Sequence, residues 1–172
     1  MPSRRTIKGA GFSQDILLFL RLLAEHRVRY LVVGGEAVIF HGYPRVTGHV
    51  DFFYENTVPN SQRFFAALSD FWDDRIPGIR SADELRQPGV IIQSGRPPHR
   101  IDLLNQIDAV TFAEAWPSRI RVQLSTEPGP VIVPYINLGP LLKNKRATGR
   151  PKEDGRYLAA GAARTRRKKR NA

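Results

Sequence analysis

The chain contains no cysteine, which excludes a disulfide framework and thiolate metal sites. It also lacks an apolar run approaching the roughly 20 residues that span a bilayer, since the best candidate, residues 16–23, is interrupted by Arg21. The N-terminus is basic, but no signal-peptide hydrophobic region with a small-residue cleavage site follows it. We therefore expect a cytoplasmic protein with no membrane partner.

Acidic residues are scarce relative to basic ones: 27 Lys and Arg against 16 Asp and Glu give a formal net charge of +11. Part of this excess lies in the tail, at Arg164, Arg166, Arg167, Lys168, Lys169 and Arg170. A dense cationic tail attracts polyanions by counterion release and carries little sequence information. RNA is therefore one expected partner of the basic surface and tail. The alternative interpretation of the tail is a disordered, solubilising terminus.

Helical and strand-like patterns alternate through the middle of the chain, with no repeat and no linker that would divide it. Runs rich in β-branched and aromatic residues predict strands at 30–33, 49–54, 90–93, 100–104, 119–124 and 131–133. Apolar spacing and capping signals predict helices after Ser13, over 36–41, after Asn60, after Ser81 with Glu84, after Thr111 with Glu114, from Pro140 to Arg146, and over 155–163.

These patterns predict a mixed α/β (α+β) fold, with a mixed sheet flanked by helices and a small helical C-terminal part. Residues 1–11 are expected to be a flexible basic N-terminus. Residues 12–163 are expected to form one domain, and residues 164–172 a disordered basic tail.

Gly34 and Gly35 directly follow one predicted strand and precede a predicted helix. Glycines let the backbone approach a phosphate closely, and a helix N-terminus offers free N–H groups. The alternative interpretation is an ordinary turn, which is the commoner role of a Gly-Gly pair.

His49 and Asp51 lie two residues apart on a predicted strand, so their side chains share a face. Two acidic side chains at that spacing hold a divalent ion against a triphosphate, but here only one of the two positions is acidic. Asp102 interrupts a later apolar strand. A carboxylate there is solvated on an open face, salt-bridged, or a metal ligand, and the sequence leaves all three interpretations open.

Taken in order, Gly34-Gly35, the run 41–47 (His-Gly-Tyr-Pro-Arg-Val-Thr), Asp51 and Asp102 resemble the minimal nucleotidyltransferases of the DNA polymerase beta superfamily. The nearest branch is similar to abortive-infection and toxin–antitoxin nucleotidyltransferases, and the basic run 143–152 also resembles it. The resemblance covers residues 15–160 and implies metal-dependent transfer of a nucleoside monophosphate from an NTP to a hydroxyl on RNA or protein.

The resemblance also implies roles for individual residues. Asp51 and Asp102 would be metal-binding catalytic carboxylates, for Mg²⁺ or Mn²⁺ in an active protein. The implied nucleotide-binding residues are Gly34, Gly35, Arg45, Thr47, Lys143 and Lys145. For the two lysines, the alternative is a solvated helix face.

Position 49, where the family has the first Asp of the pair, is His49. Imidazole is a poor ligand for Mg²⁺ but suits transition metals. His49 is therefore a surrogate catalytic and metal ligand beside Asp51 and Asp102, a lost position in a pseudoenzyme, or an inert residue. Arg156 stands where the family has an acid, and Glu36 would repel a triphosphate unless it finds a partner.

We therefore expect a nucleotidyltransferase-like protein whose activity is impaired by His49. The alternative is a catalytically inactive member of the same fold that binds nucleic acid or a cognate partner protein.

Overall fold

The structure is a computed structural model that describes residues 5–8 and 11–149. The strands are β1 (Arg5–Lys8), β2 (Tyr30–Val33), β3 (His49–Tyr54), β4 (Ile91–Ser94), β5 (Arg100–Leu104), β6 (Ile120–Ser125) and β7 (Val131–Tyr135). The α-helices are α1 (Gln14–Glu25), α2 (Gly34–Phe40), α3 (Val58–Phe71), α4 (Phe112–Ala115) and α5 (Leu138–Ala147), and 3₁₀ turns cover Ala82–Arg86 and Trp116–Ser118. The predicted mixed α/β class is confirmed. No helix in these ranges is long and apolar enough to cross a bilayer.

The strands form one mixed sheet in the order β1-β6-β7-β2-β3-β5-β4. β2 pairs antiparallel with β3, and β3 pairs parallel with β5. The register places Asp51 opposite Val33 on one side and opposite Asp102 on the other. The carboxyl end of β2, where α2 begins, therefore lies beside the amino-terminal halves of β3 and β5.

The even-numbered residues of β3 hold the strand in the core. Alternate side chains of a strand point to opposite faces, and these residues face α1 and α3. The Phe52 ring lies 5.1 Å from Phe19 of α1, and the Tyr54 ring lies 4.6 Å from Phe64 of α3. Burial of one such aromatic side chain contributes on the order of 1.5–3 kcal/mol. The odd-numbered residues of β3 are thus presented on the opposite face.

Two predicted helix N-caps are confirmed. The Ser13 hydroxyl accepts a hydrogen bond from the N–H three residues on at 3.3 Å, and the Thr111 hydroxyl does the same at 3.2 Å. The Ser81 prediction is wrong, because Ala82–Arg86 is a 3₁₀ turn and the Ser81 side chain makes no capping bond. The Glu84 carboxylate instead accepts from the backbone N–H of residue 80 at 3.0 Å.

Asn60 is not the N-cap of α3, contrary to prediction. The helix begins at Val58, and the Thr57 hydroxyl caps it by accepting from the Asn60 N–H at 3.4 Å. Pro59 suits this earlier start, because proline in the first turn gives up no helical hydrogen bond. Asn60 is fully buried, and its amide makes three hydrogen bonds of 2.7, 2.9 and 3.0 Å to the backbone before β2 and after β3. Its side chain therefore joins two ends of the sheet.

Other boundaries also differ from the prediction. α2 begins at Gly34, so the glycine pair forms its first turn instead of preceding it. β1 is not among the predicted elements and lies in the segment expected to be flexible; it pairs in parallel with β6, which supplies partners for its backbone groups. The predicted helix at 155–163, Arg156 and the tail at 164–172 lie outside the described residues.

We expect Asn60→Ala to lower the free energy of unfolding by about 2–4 kcal/mol, because buried backbone groups in two loops lose their partners. Urea denaturation followed by circular dichroism measures the change. Asn56→Ala is the control: Asn56 is exposed and its amide makes a single bond to the carbonyl of residue 86, so its loss should cost less than about 1 kcal/mol. Equal losses for the two variants would contradict the role given to Asn60.

Candidate functional site

β3 and β5 bring the three predicted metal-site residues together. His49 and Asp51 share the odd-numbered face of β3, and Asp102 lies directly opposite Asp51 on β5. His49 Nε2 lies 3.3 Å from Asp51 Oδ2 and 3.9 Å from Asp102 Oδ2. One ligand atom from each side chain lies within 4.8 Å of the others. One cation could therefore contact all three.

Asp102 forms an ion pair within its own strand. Arg100, two residues earlier, shares its face; Nε donates to Oδ1 at 2.8 Å and Nη2 donates to Oδ2 at 2.9 Å. Gln93, opposite Asp102 on β4, donates to Oδ2 at 3.3 Å. Of the three interpretations left open by the sequence, the salt bridge is the one observed. Such a bidentate pair engages both carboxylate oxygens, so any cation at Asp102 must share them with Arg100.

Asp51 has a perturbed pKa. Burial raises the pKa of this carboxyl above its ordinary value, and the neighbouring His49 opposes the shift. Asp102 raises the pKa of Asp51 further, whereas Lys145 and Arg100 lower it. The two negative charges of the site are thus accompanied by two cationic side chains before any ion binds.

Gly34 makes a very close approach to Asp51. Its φ is +64°, and a Cβ at this position would lie 1.9 Å from Asp51 Oδ2. Only glycine meets both constraints, since other residues are strained at positive φ and carry a Cβ. The Asp51 carboxylate occupies the space that a Cβ at position 34 would need. The position of Asp51 is therefore one reason why residue 34 must be glycine.

Gly35, Arg45 and Thr47 form a second close contact at the start of α2. A Cβ at Gly35 would lie 2.9 Å from Thr47 Oγ1 and 3.8 Å from the guanidinium carbon of Arg45. The Thr47 hydroxyl donates to the carbonyl oxygen of His49 at 2.9 Å. The structure therefore groups all four predicted nucleotide-binding residues of this region around the first turn of α2, where Gly34 meets Asp51.

Only one of the two predicted lysines of α5 approaches the site. Lys145 is 7% exposed and is close enough to Asp51 to lower the pKa of its carboxyl. Lys143 is exposed, and its Nζ pairs with Glu114 of α4 at 2.7 Å. The structure thus places Lys145 at the site and directs Lys143 to a neighbouring helix.

Arg100 and Gln93 had no predicted role. The position of Arg100, two residues before Asp102 on the same strand, is a signal that could have predicted the ion pair, because such residues share a face. Gln93 carried no signal, since its proximity depends on the register between β4 and β5.

Glu36 forms a hydrogen bond with Tyr135 of β7. Its Oε1 accepts from the Tyr135 hydroxyl at 3.4 Å. Burial raises the pKa of Glu36, and the hydrogen bond from Tyr135 opposes that shift. The half-buried carboxylate therefore accepts a hydrogen bond from a hydroxyl on the strand that pairs in parallel with β2.

The donor set suits one cation of a particular kind. Two Mg²⁺ ions need several oxygen ligands each. Here His49 supplies an imidazole nitrogen in place of a carboxylate, and the oxygens of Asp102 already accept hydrogen bonds from Arg100. One imidazole nitrogen with two carboxylates suits a divalent transition-metal ion such as Zn²⁺ better than it suits Mg²⁺. The side chains present fit a single such ion and do not fit a pair of Mg²⁺ ions.

No family model, curated protein or solved structure matches this chain. The resemblance to nucleotidyltransferases therefore stays a prediction from the sequence motifs.

We expect Gly34→Ala to lower the free energy of unfolding by about 3 kcal/mol or more, through left-handed strain together with the clash at Asp51. Gly78→Ala is the matched control, because Gly78 also has a positive φ (+73°) but has open space at its Cβ position. It should lose about 1–2 kcal/mol from strain alone. Chemical denaturation measures both, and equal losses would show that Asp51 is not held against Gly34.

We expect Glu36→Gln to stabilise the protein at neutral pH. Because burial raises the pKa of Glu36 above its ordinary 4.5, the folded state holds this proton more tightly than the unfolded state. Ionisation at higher pH therefore opposes folding. The variant and the native chain should have similar unfolding free energies below about pH 4, and the advantage of the variant should grow as pH rises through the raised pKa. Denaturant titrations across this range test the sign, and a native chain favoured at neutral pH would contradict it.

Proposed function

We propose that this protein is a nucleotidyltransferase-like protein that binds an NTP and one divalent cation, and that it transfers a nucleoside monophosphate to a hydroxyl on RNA or protein with impaired activity. The observation that carries the proposal is the register pairing of Asp51 with Asp102, with His49 on the same face. Carboxylates on adjacent strands bring a cation to the position where a triphosphate meets its acceptor.

The chain supplies groups for both the cation and the phosphates. His49, Asp51 and Asp102 would hold the cation, which when bound neutralises charge that develops on the reacting phosphate. Lys145, which is close enough to Asp51 to lower its pKa, and Arg45, near the first turn of α2, would bind triphosphate oxygens. In the reaction, the acceptor oxygen forms a bond to the α-phosphorus, the bond from that phosphorus to the bridging oxygen breaks, and pyrophosphate leaves.

Asp51 is the residue best suited to accept the proton of the acceptor hydroxyl. Both oxygens of Asp102 accept hydrogen bonds from Arg100, whereas Asp51 lies outside this ion pair, with its Oδ2 3.3 Å from His49 Nε2. Burial raises the pKa of Asp51, which makes its ionised form a stronger base.

The reduced negative charge of the site is the reason that we expect impaired transferase activity. His49 replaces a carboxylate with an imidazole, and Arg100 pairs with one of the two carboxylates that remain. The site therefore attracts Mg²⁺ weakly and favours a transition-metal cation, which accepts an imidazole nitrogen more readily.

A second candidate is a catalytically inactive protein of this fold that binds nucleic acid or a cognate partner protein. The Arg100–Asp102 ion pair favours it. A carboxylate already paired with a guanidinium accepts a metal ion only when that pair is weakened, and breaking a partly buried pair is costly.

Label transfer from each α-labelled NTP to total RNA or total protein tests the proposal. We expect weak transfer by the native chain that is faster with Mn²⁺ than with Mg²⁺, and loss of transfer in Asp51→Ala. His49→Asp restores an oxygen ligand and should raise Mg²⁺-dependent transfer at least about tenfold.

Lys145→Ala and Lys143→Ala form a matched pair, because the two lysines lie on the same helix but only Lys145 approaches Asp51. The first should reduce transfer and the second should leave it unchanged. Absence of transfer from every chain, His49→Asp included, would overturn the enzymatic proposal and leave the binding protein.

A further inference from the structure

Arginines gather around Trp116, which lies in the 3₁₀ turn between α4 and β6. The guanidinium carbons of Arg119 and Arg29 lie 3.8 Å and 5.5 Å from the centroid of its ring. Arg121 lies two residues after Arg119, and its charge reaches the Arg119 guanidinium. We call Arg29, Trp116, Arg119 and Arg121 the arginine–tryptophan cluster. It shares no residue with the His49–Asp51–Asp102 site.

The positive charges of this cluster are only partly matched. Glu55 pairs with Arg29 at 3.2 Å. Arg119 donates to the carbonyl oxygen of Trp116 at 2.9 Å, and neither Arg119 nor Arg121 pairs with a carboxylate of the described residues. Burial lowers the pKa of Arg119, and the like charges of Arg121 and Arg29 lower it further. An anion would therefore stabilise Arg119 and Arg121, whose like charges lie close together.

A cavity of about 580 Å³ adjoins the cluster. Phe112 connects the two, because its ring stacks on Trp116 with centroids 5.3 Å apart and also lines the cavity. The other lining side chains combine apolar surface with amides, hydroxyls and the carboxylate of Glu55, which pairs with Arg29. They include Phe53, Val110, Asn56, Gln106 and Thr111. The volume lies within the range of about 300–1,000 Å³ that is usual for small-ligand sites.

We propose that the arginine–tryptophan cluster and the adjoining cavity bind single-stranded nucleic acid, with phosphates on the guanidinium groups and a base in the cavity. Guanidinium groups bind phosphate through paired N–H donors. Unpaired bases are recognised by stacking and by hydrogen bonds to their edges, which the aromatic, amide and hydroxyl groups of the cavity provide. An acidic protein surface would match the charges but would leave the cavity unused.

Fluorescence anisotropy of the full chain with a labelled single-stranded RNA of about 12 nucleotides tests the proposal. The double variant Arg119→Ala/Arg121→Ala should weaken binding about tenfold or more and lower the slope of log affinity against log salt by about 1.4, as expected for two lost phosphate contacts. Arg75→Ala/Arg80→Ala removes the same charge from exposed positions outside the cluster. This control should retain nearly native affinity.

Ala113→Phe tests the cavity without a change of charge, because Ala113 is exposed and lines it. We expect weaker RNA binding with an unchanged salt slope. RNA binding measured without NTP or divalent cation should equal binding in their presence, which makes failure here distinguishable from failure of the proposed transferase activity.

Two outcomes would overturn the proposal. Equal weakening by the two double variants would show that affinity follows net charge alone. Equally tight binding of labelled poly-glutamate, with the same loss in Arg119→Ala/Arg121→Ala and no effect of Ala113→Phe, would identify an acidic protein surface as the partner.

Discussion

The ion pair between Arg100 and Asp102 allows two carboxylates to lie side by side in the middle of the sheet. Like charges in register on neighbouring strands repel, and both Asp51 and Asp102 are largely removed from water. Arg100 supplies a cation from the strand that carries Asp102, and Lys145 supplies another from α5. The polar end of β3 therefore depends on cations that the protein itself contributes, while its even-numbered residues hold the strand in the core.

This internal compensation shapes what the site can bind under the proposed function. A divalent cation added to a pair of carboxylates that already has two cationic neighbours leaves an excess of positive charge. A triphosphate would offset that excess, so the binding of cation and nucleotide should be thermodynamically linked, each strengthening the other. His49 strengthens this dependence, because an imidazole supplies a ligand without the negative charge of an aspartate.

Much of the fold could be predicted, because period-two apolar runs and capping residues are local signals. Asn60 is predicted to be an N-cap because asparagine is favoured at that position, although Thr57 and Pro59 indicate the earlier start of the helix. The burial of its amide depends on backbone groups distant in sequence, which no local pattern predicts. At the site, the shared face of His49 and Asp51 followed from strand geometry. The alignment with Asp102 did not, because strand register depends on packing of the whole sheet.

The lysines of α5 show a second limit. Residues two apart on a helix do not face the same way, so Lys143 and Lys145 could not both approach one site. Helix geometry therefore predicts that only one of the two lysines approaches the site. Which lysine it is depends on which face of the helix packs against the sheet.

The contact between Gly34 and Asp51 has a consequence for how this protein can diverge. The two positions are 17 residues apart in the chain, yet the α-carbon of one leaves room only for the carboxylate of the other. A side chain at position 34 therefore costs stability unless position 51 also becomes smaller and the left-handed turn is remodelled. Among descendants of this sequence, glycine at 34 should persist as long as aspartate persists at 51. Joint change at the two positions would then mark lineages that have abandoned the site altogether.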